Sequence, residues 1–136
     1  MKRITALTMF LAGLVTISTA SAQDHAVKAT IPFDFTVENT LLPSGTYSVI
    51  SDFPNVIEIR NNKQHVEVLS LVSTADKESK SGKLVFNRYG TQYFLSEILC
   101  SSAQMNLQLP TSKLEKKVQH QEASLPSNDQ TYVALK

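Results

Sequence analysis

The residues able to do chemistry are few: His25, His65 and His120, the single Cys100, and the carboxylates Asp34, Glu58, Glu67 and Glu97. A bound metal needs ligands that converge, and short spacings such as His-x-His or His-x-x-x-His are how one strand or helix supplies them. Neither spacing occurs, so the three read as solvated surface histidines and no metal is expected. One arrangement has metal character: a free amine at Gln23 with His25 two residues on is the donor pattern of amino-terminal copper or nickel sites. Cyclisation of Gln23 removes that amine, and no metal site is assigned. A nucleophilic thiol needs a cation or a base beside it to lower its pKa. Cys100 follows an apolar strand end with no cationic neighbour in sequence, and reads as a buried core residue. Facing carboxylates would suit acid–base work, but acids on the wet face of a sheet usually serve solubility, and spacing alone pairs none of these four. Gly-rich phosphate loop, nucleophile elbow and Cys-x-x-Cys are all missing from the sequence. No catalytic residue and no cofactor follow, and the chain reads as a non-enzyme.

Binding is the remaining chemistry. Phe33, Phe35, Tyr47, Phe86, Tyr89, Tyr93 and Phe94 fall in strand-like stretches, and most of these rings read as core. The chain has no Trp, the usual platform for stacking sugars. Tyr89 and Tyr93 flank Gly90 and are the rings expected to be exposed. With Arg88 they form the candidate contact residues at a hairpin tip.

Strands must position these groups. From Val27 to Val37 the odd positions are Val, Ala, Ile, Phe, Phe and Val, and the even ones are Lys, Thr, Pro, Asp and Thr. This period of two over eleven residues predicts a strand with one buried and one wet face. Pro32 cannot donate to a ladder, which places the strand at an edge or beside a bulge. Leu42-Pro43-Ser44-Gly45 and Asp52-Phe53-Pro54-Asn55 read as turns, and Asn61-Asn62 as a two-residue hairpin loop. From His65 to Thr74, Val66 and Val68 alternate with polar residues until Leu69, Leu71 and Val72 disturb the phase, by a bulge or by burial on both faces. Asp76 to Gly82 is a polar loop. Lys83–Tyr89 and Thr91–Leu99 form a hairpin around Gly90, apolar on both faces as central strands are. Ser112-Lys113-Leu114-Glu115 matches a capping box and predicts a short helix to Gln121, docked by Leu109, Leu114 and Val118.

Four stretches together resemble a family of short exported bacterial β-proteins: Ile31-Pro-Phe-Asp-Phe-Thr-Val37, Leu42-Pro-Ser-Gly-Thr-Tyr47, Leu84-Val-Phe-Asn-Arg-Tyr-Gly90 with Tyr93-Phe-Leu-Ser-Glu-Ile98, and Leu109-Pro-Thr-Ser-Lys113. The resemblance implies strands and turns over nearly all of the exported part, and brings no catalytic residue. Where that pattern carries a Gly-bearing loop before its Leu-Pro motif, this chain has Cys100 to Asn106.

Export is also read from the residues themselves. Lys2 and Arg3 precede an apolar run from Ile4 to Ile17, and Ala20-Ser21-Ala22 offers small residues at a cleavage site. That pattern predicts a secretory signal over 1–22, cut before Gln23; the run is short of the ~20 apolar residues of a membrane span. Loss of Lys2 and Arg3 leaves 11 of the 13 basic residues against 12 acidic ones. A near-neutral chain without a basic run has no electrostatic footprint for nucleic acid or an anionic membrane surface. One cysteine excludes an intramolecular disulfide. The expectation is therefore a mainly β fold, a small antiparallel sandwich or partly open barrel of about six to seven strands with one short C-terminal helix. It spans residues 23–121, followed by a polar, flexible tail over 122–136, in which Thr131–Leu135 either adds a last strand or frays. Function is expected to be non-enzymatic, in the periplasm or outside the cell, through contact with a protein or envelope component. A barrel holding a small apolar ligand is the alternative.

Overall fold

The computed structural model describes His25–Ala123 and Asp129–Lys136. The signal expected over 1–22, the cleavage expected before Gln23 and the amine it would free lie outside the described residues. Eleven strands and one helix follow in order: β1 Ala26–Ile31, β2 Phe35–Val37, β3 Thr40–Leu42, β4 Gly45–Phe53, β5 Val56–Asn61, β6 Val66–Leu71, β7 Ser73–Thr74, β8 Lys83–Tyr89, β9 Gln92–Cys100, β10 Met105–Gln108, α1 Lys113–Gln121 and β11 Asp129–Ala134. The fold is mainly β, as expected. The strand count exceeds the expectation because two long runs break at corners, giving β2 and β7, and because the short β3 and β10 are too brief to show an alternation.

The run from Val27 to Val37 shows how. Its odd side chains point inward throughout and its wet face is exposed up to Asp34, but the ladder stops at Pro32 and restarts at Phe35. β1 pairs β4 in one sheet, whereas β2 pairs β3 and touches β9 in the other. Pro32, unable to donate, stands where the strand leaves one sheet for the next. The first sheet has the order β1-β4-β5-β6; the second runs β11-β8-β9-β10-β7, with β2 beside β9 where Thr36 faces Phe94.

Two more crossings curl the sheets into a partly open barrel. β6 runs on into β7, which pairs β10. At the other corner Ala29 of β1 bridges Leu135, and the Lys136 amide donates to the Lys28 carbonyl at 2.8 Å. A last strand is therefore the outcome for the C-terminal segment: β11 pairs β8 along its length. A flexible tail over 122–136 is corrected to that extent. Composition hid the strand, because Asp129-Gln130-Thr131 and the exposed Tyr132 and Ala134 give little apolar signal.

Core side chains come from both sheets. Phe35, Tyr47, Phe86, Ile31, Leu42, Ile57, Ile59, Leu84, Ile98 and Met105 are fully buried between them. Phe35 meets Tyr47 and Phe86 edge to face, with centroids 5.1 and 5.5 Å apart. The second sheet is covered outside as well. Val85 and Leu99 pack with Ala75, and Tyr89 and Phe94 pack under Val118 of α1. That double cover explains why β8 and β9 are apolar on both faces.

Local chemistry departs from expectation at two turns. The loop after β5 has four residues, Asn62 to His65, not two. Asn61 stays in the strand, faces inward, and accepts the Lys63 and Gln64 amides at 3.0 and 3.2 Å, which nucleates the turn from within. A Cβ on Gly45 would come 2.8 Å from Asn61 Nδ2, so a larger residue there would displace the Asn61 side chain that holds the turn. In β6 there is neither bulge nor double burial. Val66, Val68 and Ser70 point inward, and Leu69 and Leu71 point to solvent. Ser70 turns inward because its hydroxyl donates to Glu38 at 2.9 Å.

Candidate functional site

Gly90 and Thr91 form the two-residue tip between β8 and β9, with Gly90 at φ +59. Arg88 is exposed there, its Nε donating to the Gly90 carbonyl at 2.9 Å and its guanidinium 5.7 Å from the Tyr93 ring centroid. Tyr93 is half-buried and stacks on Phe33 at 3.9 Å. Arg88, Tyr93 and Phe33 thus form one small cation–aromatic ledge.

Tyr89 is not part of it. Successive strand residues face opposite ways, and Tyr89 points under α1 with only 7% exposure. Its hydroxyl donates to Glu115 at 3.2 Å, and Asn87 Nδ2 donates to the same oxygen at 2.9 Å. Burial, and then the nearby Glu115 carboxylate, push the Tyr89 pKa up to about 12. The expected exposure of Tyr89 is therefore corrected. α1 starts as its capping box demands, with Ser112 accepting the Glu115 amide at 3.0 Å. Its docking face is Glu115 and Val118, while Leu114 stays partly exposed.

The other candidates are dispersed. His25 is half-buried, with Nδ1 3.3 Å from the Ala103 carbonyl; His65 and His120 are exposed. No group of His, Cys, Asp and Glu able to hold a metal occurs among the described residues. Cys100 is buried, its Sγ 3.3 Å from the Ser102 hydroxyl. Asp34 accepts the Ser44 amide at 2.8 Å, and Glu97 pairs with Lys77 at 3.6 Å. Glu58 and Glu67 are both salt-bridged to Arg60.

Sequence reasoning missed the most distinctive surface, the outer face of the first sheet. Strand register sets its side chains in rows: Phe53, Val56 and Leu71 in one, Ile50, Glu58 and Leu69 in the next, Ser48, Arg60 and Glu67 in the third. Phe53, Leu69 and Leu71 are 70, 61 and 64% exposed, an apolar density unusual for a wet sheet face. A depression of about 50 Å³ lies among Ile50, Asp52, Phe53, Val56, Glu58 and Leu69. The disturbed phase at Leu69 and Leu71 was its signal in the sequence. Compared with family models, curated proteins and solved structures, the chain matches none.

Proposed function

We propose that the chain is an exported, non-enzymatic β-domain that acts in the periplasm or outside the cell through contact with a protein or other envelope component. The observation that carries this reading is where the apolar surface lies. The space between the sheets is occupied by buried rings and branched chains, while Phe53, Leu69 and Leu71 stand together in solvent. Large apolar residues gathered on an outer face suit an interface. The ledge of Arg88 and Tyr93 is a second, smaller contact of the kind that recurs at interfaces. A pocket for a small apolar ligand needs roughly 300 Å³ or more of concave space, and a core filled by Phe35, Tyr47 and Phe86 weighs against one.

The test is capture from an envelope fraction by the purified chain, beside the variant Phe53→Ser/Leu71→Ser and the variant Arg88→Ala. The expected outcome is a specific partner retained by the parent chain and lost by the first variant, whose changes are exposed and leave the thermal midpoint unchanged. Retention of a stoichiometric lipid or other apolar molecule by the purified chain, seen by native mass spectrometry, would overturn the contact reading in favour of the ligand barrel.

A further inference from the structure

We infer that the depression on the outer face of the first sheet receives a lysine side chain of a protein partner, with apolar residues on either side of that lysine resting on Phe53 and Leu71. The inference rests on the contact reading above and names the chemistry of its partner.

Glu58 stands in the second row, between the apolar row of Phe53, Val56 and Leu71 and the polar row of Ser48, Arg60 and Glu67. Its neighbours across the strands are Ile50 and Leu69, and Val56 precedes it by two on the same face of β5. A carboxylate in such surroundings is partly desolvated, which strengthens its pull on a cation relative to one in open water. Arg60 of the third row pairs with Glu58 and is shared with Glu67, so with Asp52 three carboxylates stand against one guanidinium and the patch keeps a net negative charge. Glu58 also lines the depression, where Asp52 supplies a second carboxylate and no basic residue lines the wall. The lining is thus apolar floor and acidic rim.

That combination fits one kind of side chain better than others. Lysine lays its methylenes along apolar surface and keeps its ammonium at a polar edge. The depression of about 50 Å³ is shallow, so the stem rests along it with the ammonium at its rim. The ammonium has three donors for the two carboxylates. Phe53 and Leu71 flank the depression in their own row and offer rests for apolar neighbours. An acidic partner segment would meet Asp52 and Glu58 with like charge and be rejected. The face has a preference of sign as well as of polarity.

Two fluorescently labelled peptides test this, one carrying a lysine between leucines and its twin with glutamate at that place, titrated with the purified chain at low salt. The lysine peptide is expected to bind with about tenfold higher affinity than its twin, which is the weight of a 1.4 kcal/mol difference, and to weaken as salt is raised. Glu58→Gln and Asp52→Asn are each expected to remove most of that preference; Asp52 is exposed, so Asp52→Asn serves even if Glu58→Gln perturbs β5. Equal binding of the twins, no binding of the lysine peptide at millimolar concentration, or a preference indifferent to both substitutions would overturn the inference. So would sedimentation showing that a second copy occupies the face. Capture of an envelope partner that needs Phe53 and Leu71 but ignores Glu58→Gln would sink the lysine site and leave the contact reading standing.

Discussion

Glu115 has its carboxylate turned inward beneath the first turn of α1, where Asn87 and Tyr89 both donate to Oε1. A buried acid kept by hydrogen bonds is costly to remove, because its former donors are left without partners. Glu115→Ala is expected to lower stability by about 2–3 kcal/mol, and Glu115→Gln by less, measured by urea denaturation. Tyr89 adds a pH dependence. Its folded pKa of about 12 lies above the ordinary 10, so the folded chain holds the phenol proton more tightly than the unfolded one. The stability this contributes is complete below about pH 10 and is lost as pH rises toward 12, about 2–3 kcal/mol in all. Denaturation midpoints between pH 9 and 12 are expected to fall less steeply in Tyr89→Phe than in the parent chain. The sequence indicated that Tyr89 mattered but put it on the wrong side. Counting alternate residues from Phe86 would have set Tyr89 opposite to it, and only knowledge that α1 covers that side tells which environment results.

At the scale of elements, local signals were legible where the chemistry is local. Ser112 and Glu115 marked the start of α1 because a capping box closes within one turn. Gly90 marked the hairpin between β8 and β9 because φ +59 is a conformation that glycine adopts without strain. Gly90→Ala is accordingly expected to cost about 1–2 kcal/mol. Space is not the reason, since the added carbon would sit 3.5 Å from the Glu122 carboxylate, an ordinary contact. A thermal midpoint unchanged by this substitution would show the tip to be relaxed. Long-range pairings were not legible. In Val27–Val37 Pro32 marked an interruption of the ladder, but not that the two halves serve different sheets, because Phe33 continues the inward pattern through the corner. Leu69 and Leu71 look like core until the register shows them facing solvent. The same outward leucines give the face its binding character, so the failure of the pattern and the candidate site coincide.

The whole molecule is a partly open barrel of two sheets joined at their corners, and the join at β1 is made by Leu135 and Lys136. β11 covers β8, Leu135 bridges Ala29, and Lys136 donates to Lys28. Removal of residues 129–136 is expected to abolish cooperative unfolding and the near-ultraviolet circular dichroism of the buried tyrosines, whereas a dangling tail would be lost without effect. Composition made this end look expendable, because its strand is held by backbone pairing more than by apolar weight. Pairing Ala29 with Leu135 also fixes when the structure is able to form. Partners so distant in the chain close slowly, and this corner forms only when Leu135 reaches Ala29. The first strand thus waits on a strand more than a hundred positions away for its outer neighbour, and whatever holds those two segments apart keeps this corner unmade.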